Sequence, residues 1–545
     1  MVKKYIFIAI LLVLGACKSQ QTVTPEAFYF KSVLVNNQQS GGFQYGDVNL
    51  SPKMEISFST PLNIESAKKN ISLTERLTAN SIPLNFIFLK NDSTVQLSPS
   101  QPLKHITKYD LTVNNTLESK SKQSLNTDIR VGITTQLDTT DKFPRISDEE
   151  LLTLVQKQTF RYFWDFAHPV SGLSRERNTS GDVVTSGGTG FGIMSILVGI
   201  ERGFITREQG RERLLKMTDF LLNKTKSYHG VFPHWLNGAN GETIPFSAND
   251  NGADIVETSY LMQGLLTARQ YFNQNSDTEN TLRKNINTLW NNVDWAWHTK
   301  NENVLYWHWS PTVGWKMNHQ IHGWNECLIT YFLAASSPTH PISKTVYDNG
   351  WAENGKMKNG KSYFGTPLPL GFEYGGPLFF SHYSFLGLNP KNLKDKYANY
   401  WEQNLAHTRI NYQYCVANPK NFVGYGKNCW GLTASDSFNG YAAHSPTEDL
   451  GVISPTAAIS AMPYTPKESM DALRYFYYKL GDKIWKQYGF VDGFSQTNLW
   501  WADSFLAIDQ GPIICMIENY RTGLLWKLFM SCPEVQTGKN TLGFE

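Results

Sequence analysis

Two patterns of apolar spacing divide the chain. Between Phe28 and Leu137, short runs of alternating, β-branched or aromatic residues are separated by Asn, Gly, Ser and Pro, which is typical of strands joined by turns. At a spacing of about ten residues, these runs predict a β-sandwich. They are Phe28–Val35, Met54–Phe58, Leu84–Leu89, Thr94–Leu97, Tyr109–Val113 and Ile129–Thr134.

From Ser147 onward the apolar residues follow the helical period. Ser147–Glu150 and Thr206–Gln209 have the spacing of capping boxes, and Pro466 follows Thr465 at a first helical position. We expect about twelve helices and no strands in this region, which predicts an all-α (α/α)6 toroid, with an irregular helical array as the alternative. The expected starts lie near residues 147, 189, 206, 254, 278, 324, 377, 392, 455, 466, 500 and 512.

The first residues predict an export signal. Lys3 and Lys4 precede an apolar run from Tyr5 to Leu14, which is too short to span a bilayer. The run ends in LGAC, which resembles a bacterial lipobox with Cys17 as the lipidated residue. We therefore expect a cell-envelope lipoprotein, anchored in the outer membrane and facing the periplasm or the cell surface.

Composition excludes several classes of protein. The formal net charge is only +3, without basic blocks, so no nucleic-acid partner is expected. Six cysteines are too few for a disulfide scaffold, and Cys415 and Cys429 could form a bridge or remain two buried thiols. His319 and His322 lack a third ligand at a suitable spacing, so neither a metal nor another cofactor is expected.

Tryptophan and acidic residues supply the candidate chemistry. All 16 tryptophans follow residue 150, and loop tryptophans can stack on sugar faces, although any single one could instead belong to the core. Glycoside hydrolysis generally requires two carboxyl groups. The candidate acids include Glu176, Asp254, Glu257 and Glu326, and each of these could have a structural role instead of a catalytic one. Asp254 and Glu257 could cap a helix, Glu176 could pair with a neighbouring arginine, and Glu326 could interact with a helix dipole.

Several motifs of the helical region resemble the glucoamylase-like domain of glycoside hydrolase family 144. They are SGGTGFGIMSILVGIERGFITREQ, NDNGADIVETSYLMQGLLTARQYF, WNECLITYFLAASSPTHPI, GGPLFFSHYSFLGLNP, CWGLTASD and IDQGPIICMIENYRTGLLWKLF. The resemblance implies an (α/α)6 barrel, an inverting mechanism without a required metal, and action on β-1,2-glucan or its oligosaccharides. It also implies Glu257 as the general acid and Glu176 or Asp182 as the water-activating or supporting carboxylate. The substrate-binding candidates are Arg175, Trp235, Asp250, Trp307, Trp309, Trp324, Glu326 and Trp430.

The N-terminal stretch that contains ISFSTPLNIESAKKNISL resembles bacterial Ig-like modules. The expected organisation is a signal peptide (1–17), a tether (18–27), an Ig-like β-sandwich (28–137), a linker (138–146), a hydrolase domain (147–532) and a tail (533–545). Because the linker is short, it could hold the module near the barrel and favour exo release of sophorose, although endo cleavage stays open. A glycan-binding lipoprotein and a polysaccharide lyase are the alternative functions, and a monomer is expected.

Overall fold

The computed structural model describes residues 26–545, which form two compact units divided between Asp138 and Thr139. The predicted signal peptide, the lipidation site at Cys17 and most of the predicted tether lie outside the described residues. Between residues 26 and 545, no helix combines the length and the apolar character needed to cross a membrane.

The first unit is a β-sandwich, as the alternating pattern predicts. One sheet has the strand order β1-β3-β7-β6 and the other has β2-β9-β8-β4-β5, in which β2 runs parallel to β9. The sequence pattern does not predict four elements, namely β2, β4, β5 and α1, which lie outside the predicted runs. The elements are β1 (Phe30–Val35), β2 (Gln44–Val48), β3 (Met54–Phe58), α1 (Ile64–Asn70), β4 (Ile71–Glu75), β5 (Ser81–Ile82), β6 (Leu84–Leu89), β7 (Thr94–Pro99), β8 (Lys108–Val113) and β9 (Ile129–Thr135).

The second unit alternates outer and inner helical segments, which confirms the predicted (α/α)6 toroid. The long inner segments are buried on almost every side and pack against one another, whereas most outer segments bury only one face. The outer segments are α2 (Asp148–Trp164), α4 (Arg207–Asn223), α6 (Asp277–Asn292), α8 (Lys344–Val346) continued by a π-helix (Tyr347–Trp351), α9 (Tyr400–Ala417) and α11 (Pro466–Ile484). The inner segments are α3 (Ser186–Glu201), α5 (Ile255–Tyr271), α7 (Leu328–Ser336), the 3-10 turns Leu378–Ser381 and Ser384–Leu386, α10 (Pro455–Ser460) and α12 (Ala507–Arg521).

Local capping explains the helix starts that the sequence predicts best. Ser147 and Thr206 each accept a hydrogen bond from the third helical residue, and the side chains of Glu150 and Gln209 return to the cap backbone. Two predicted starts are wrong. The stretch near 392 becomes helical only at Tyr400, and the predicted helix near 500 is a strand, because Trp500–Trp501 pairs with Phe494–Ser495.

The expectation of a region without strands is also wrong. Fifteen short strands occur in the described residues after 147, and β10 and β13 lead directly into the N-termini of α3 and α5. They pair across the long loops, which would otherwise leave backbone groups unsatisfied. They are β10 (Val183–Thr185), β11 (Trp235–Asn237), β12 (Thr243–Ile244), β13 (Ala253–Asp254), β14 (Leu305–Tyr306), β15 (His308–Trp309), β16 (Gln320–Ile321), β17 (Ser362–Tyr363), β18 (Thr366–Pro367), β19 (Ala434–Ser437), β20 (Gly440–Ala443), β21 (Trp485–Lys486), β22 (Gly489–Phe490), β23 (Phe494–Ser495) and β24 (Trp500–Trp501).

Both ends of the second unit are more ordered than the sequence suggests. In the predicted linker, the Lys142 amide donates to the Tyr478 carbonyl (2.7 Å), and Phe143 stacks on Tyr477. The predicted tail 533–545 is not a tail, because it contains α14 (Pro533–Leu542), which follows α13 (Leu524–Met530) and packs against α7. Cys415 and Cys429 are buried free thiols.

Glycines bring the inner helices α3 and α5 unusually close together. A Cβ on Gly190 would lie 2.0 Å from the Tyr260 carbonyl oxygen, and one on Gly264 would lie 2.3 Å from the Gly190 carbonyl oxygen. Only glycine permits this approach of two backbones. The contact places the N-terminus of α3 directly beside Glu257 on α5.

Candidate active site

A cavity of about 430 Å³ opens where the inner helices begin, and we call it the inner cavity. Its wall combines aromatic rings with carboxyl groups, as expected for a site that binds sugars. It is lined by Glu176, Arg177, Thr185, His234, Trp235, Phe246, Val256, Glu257, Tyr260, Trp307, Glu326, Phe379, Tyr383, Ala434, Tyr441, Ala443, Leu506 and Ile508.

Glu257 is a buried carboxyl group in the first turn of α5. Its Oε2 accepts hydrogen bonds from the Gly187 amide (2.8 Å) and the Thr185 hydroxyl (3.0 Å), and its Oε1 lies 3.9 Å from Nε2 of His234. Burial raises the pKa of Glu257, while the nearby His234 opposes this rise. The carboxyl group therefore has a fixed position and a protonation state that depends on its neighbours.

Asp254 fixes the start of α5 and the orientation of two rings. Its Oδ1 accepts from the amides of Val256 and Glu257 and from Nε1 of Trp307 (3.0 Å), whereas Oδ2 pairs with Nδ1 of His234 (3.2 Å). Burial alone would raise the pKa of Asp254, but the hydrogen bond from His234 lowers it below its ordinary value. Asp254 is thus a helix cap and also an ionised partner for His234.

His234 is the cationic centre of this cluster. Burial alone would lower its pKa, but Glu257 and the hydrogen bond with Asp254 raise it to about 9. Burial and the charge of Asp254 raise the pKa of Asp250 to about 7, and the Asp250 Oδ2 lies 3.5 Å from Nε2 of His308. Ligand atoms of His234, Asp250 and Asp254 lie within 4.8 Å of one another, so these residues could hold a divalent cation. The hydrogen bond between His234 and Asp254 already accounts for the closeness of those two residues.

Glu326 precedes α7 and faces the cavity from a different element. No described side chain donates a hydrogen bond to its carboxyl group, although its backbone carbonyl accepts from the Tyr260 hydroxyl. Loss of hydration raises the pKa of Glu326 to about 7. A carboxyl group with this pKa retains its proton up to neutral pH and can deliver it to a substrate.

A second acidic group lies beside the loop that precedes β10. Nε of Arg177 donates to both oxygens of Glu176 (3.0 and 3.1 Å), and Nη1 of the same arginine donates to Asp436 (3.1 Å). The Asp436 amide donates to Oδ2 of the buried Asp492 (2.5 Å). Glu176 is therefore both the predicted ion pair and a group that faces the cavity.

The structure brings together only part of the predicted site. Glu257, Glu176, Glu326, Trp235 and Trp307 line the inner cavity, and Asp250 lies directly behind them. The other candidates lie elsewhere.

Three of the predicted residues that do not line the cavity are held elsewhere by specific contacts. Asp182 is exposed and bonds to His168 (3.1 Å) outside the cavity lining, and the Arg175 guanidinium covers the Phe166 ring. Trp309 packs in an aromatic cluster with Trp297.

Trp324 and Trp430 are fully buried, so they belong to the core and cannot stack on a sugar. Their neighbours in sequence are polar and resemble a loop, whereas their burial results from contacts with residues far along the chain.

Sequence reasoning missed His234, Arg177, Asp436, Tyr383 and Tyr441. Each is a common residue type without a motif of its own. Four of them line the cavity, and Asp436 pairs with one of these, Arg177, without lining the cavity itself. Asp254 is recognisable in the sequence as a helix cap, because the spacing of Asp254 and Glu257 predicts a capping box. The Asp254 half of that box is present, but the Glu257 side chain turns to Thr185 and Gly187 instead.

Comparisons with known proteins agree with this geometry. The Glycoamylase family model matches residues 318–533, and a bacterial Ig-like domain model matches residues 44–135. An endo-β-1,2-glucanase from Chitinophaga pinensis, solved with sophorotriose and glucose, is 53% identical over 74% of this chain and 99% of its own, with a TM-score of 0.72. The chain belongs to glycoside hydrolase family 144.

Two relatives from Parabacteroides distasonis extend the comparison. A β-1,2-glucanase structure is 38% identical over 94% of this chain and 72% of its own, with a TM-score of 0.72. An exo β-1,2-glucooligosaccharide sophorohydrolase (non-reducing end) is 49% identical over 417 residues, which make up 72% of this chain. The match spans 58% of the length of that curated relative.

Proposed function

We propose that this family 144 protein is an inverting glycoside hydrolase that acts on β-1,2-gluco-oligosaccharides and releases sophorose from a chain end. The observation that carries the proposal is the inner cavity, where Glu326, Glu257 and Glu176 converge between aromatic rings. An exo relative supports the release of a disaccharide, whereas an endo relative shares a similar fold.

Glu326 is the proton donor in this proposal. It has no hydrogen-bond donor among the described side chains, and its pKa of about 7 keeps the carboxyl group largely protonated below neutral pH. Glu257 fits the donor role less well than the family resemblance implies, because its Oε2 already accepts two hydrogen bonds and its Oε1 lies near the cationic His234. Glu326 protonates the departing glycosidic oxygen while water attacks the anomeric carbon and loses a proton to a second carboxylate.

Either Glu257 or Glu176 is the carboxylate that activates water, since both line the same cavity as Glu326. Glu257→Gln and Glu176→Gln distinguish the two. The variant that lacks the base should lose turnover by several orders of magnitude and be rescued by a small external anion such as azide. The other variant should show a weaker loss without such rescue.

Product analysis tests the function itself. The full chain should release sophorose from β-1,2-gluco-oligosaccharides and leave β-1,3- and β-1,4-glucans intact, as measured by chromatography. A ladder of mixed lengths from long glucan would instead establish endo action. Binding without new reducing ends would establish a glycan-binding protein, and an unsaturated product that absorbs ultraviolet light would establish a lyase.

We also propose that the protein is a monomer anchored to the cell envelope by lipid on Cys17. The LGAC motif after a short apolar run supports the anchor. Cys17→Ser should move the protein from the detergent phase to the aqueous phase in a partition assay, and recovery in the detergent phase would contradict the anchor. Light scattering of the detergent-solubilised chain checks the monomer.

A further inference from the structure

A second cavity of about 530 Å³ adjoins the inner cavity, and we call it the outer cavity. The two share Glu326 and Phe379, so the proposed proton donor lies at their boundary. His319 also joins them, because its ring stacks on Trp307 (5.1 Å between centroids). A chain that places its cleaved bond at Glu326 therefore has room on both sides of that bond.

The outer cavity combines an apolar base with a polar side. Phe379 and Phe380 pack edge to face at its base (4.8 Å), and His319 and His322 present exposed rings beside them. Sugars offer apolar ring faces together with hydroxyl groups, so this mixture suits a glucose unit better than a lipid or a charged ligand.

Phe372 is the unusual residue at the lip of this cavity. Its side chain is 62% exposed, although it is large and apolar. An exposed aromatic face beside polar groups is a surface on which the apolar face of a sugar ring can stack. Phe380 lies behind it, with 6.4 Å between the ring centroids.

The backbone under Phe372 is fixed although its side chain is exposed. Nδ2 of Asn359 donates to the carbonyl oxygens of Gly371 (2.8 Å) and Phe372 (3.0 Å). A Cβ on Gly371 would lie 2.6 Å from Cδ1 of Trp324, so the loop rests directly on that buried indole. A ring held in this way binds without first losing the freedom of its loop.

We propose that the outer cavity binds the glucose units on the leaving side of the cleaved bond, with Phe372 as the stacking platform that sets the preference for longer chains. This inference rests on the proposed function. The released disaccharide occupies the inner cavity, and the rest of the chain, toward its reducing end, extends across Phe379 to Phe372.

Chain-length dependence tests the inference. Phe372→Ala should raise KM about tenfold for β-1,2-gluco-oligosaccharides of five or more units, with kcat unchanged and with less than a twofold effect on the trisaccharide. Phe372→Tyr keeps a ring face and should behave as the native protein. Phe364→Ala is the matched control, because Phe364 is also exposed, in the nearby turn between β17 and β18, but lines neither cavity.

The outcomes separate this inference from the proposed function. If the native protein cleaves the oligosaccharides and Phe372→Ala has the same KM as the native protein at every length, the outer cavity is not a subsite. If the native protein releases no sugar at all, the proposed function fails instead. Calorimetric binding of oligosaccharides to Glu326→Gln then still tests the platform, because Glu326→Gln combined with Phe372→Ala should bind long chains about tenfold more weakly.

Discussion

Glu326 differs from the other carboxyl groups of the inner cavity because no described side chain donates a hydrogen bond to it. Glu257 and Glu176 each accept hydrogen bonds from other residues, whereas no described side chain donates to the Glu326 carboxyl group, whose only donor is its own backbone amide. A proton donor needs this freedom, because its proton must point at the substrate oxygen.

The pH dependence of turnover should follow Glu326. As its pKa is about 7 and the protonated form is active, kcat/KM should fall as the pH rises through about 7. Asp250 has a similar pKa, so Asp250→Asn is the control and should keep this alkaline limb. A rate that stays constant to pH 9 in the native protein would contradict the assignment.

Replacement of Glu326 by Gln should reduce kcat by at least about a thousandfold, since the amide cannot donate a proton to the leaving oxygen. The oligosaccharide should still bind, because the aromatic wall is unchanged. Turnover within tenfold of the native value would remove Glu326 as the acid.

Asp492 should make stability depend on pH. Burial raises its pKa to about 7, well above the ordinary value of about 4. Between these values the folded protein keeps a proton that the unfolded chain releases, so the free energy of unfolding should fall as the pH rises from about 4 to about 7. Asp492→Asn should flatten this decline in urea titrations, whereas the exposed Asp503→Asn should leave it unchanged.

Among the elements, the paired helices α3 and α5 depend most on single glycines. Gly190→Ala should reduce the free energy of unfolding by about 1–3 kcal/mol or more, because the new methyl group meets the Tyr260 backbone, which cannot rotate away. Gly426→Ala is a suitable control, since a Cβ there would meet nothing within 4 Å. Urea denaturation of the two variants measures the difference, and equal stability would contradict this packing.

Elements with local signals were predictable from the sequence, and elements defined by distant contacts were not. Ser147 and Thr206 carry their caps within four residues, so α2 and α4 begin where the pattern indicates. Trp500 belongs to an apolar stretch that suits a helix or a strand equally, and its pairing with Ser495 decides between them. The same holds for the site. Glu257 was predictable because it belongs to a local capping pattern, whereas the ion pair between Arg177 and Asp436 joins residues that are 259 positions apart.

At the scale of the whole molecule, the two compact units have separate roles in the proposed chemistry. Every residue that lines either cavity lies after Thr139. Deletion of residues 18–138 should therefore leave turnover of the trisaccharide within about twofold of the native value. Residues 139–146 are retained, because Lys142 and Phe143 contact α11.

The same deletion tests whether the Ig-like module affects product size. If the module limits access, long glucan should yield a broader range of products after the deletion, as measured by chromatography. An unchanged product pattern would show that the cavities alone determine the size of the released sugar.

The loop that carries Phe372 has a consequence for divergence within the family. Asn359 and Trp324 hold its backbone, while neither takes part in proton transfer. Substitutions at its tip can therefore accumulate without harm to the catalytic carboxyl groups. Related enzymes can then differ in the chain lengths they prefer through changes in one short segment.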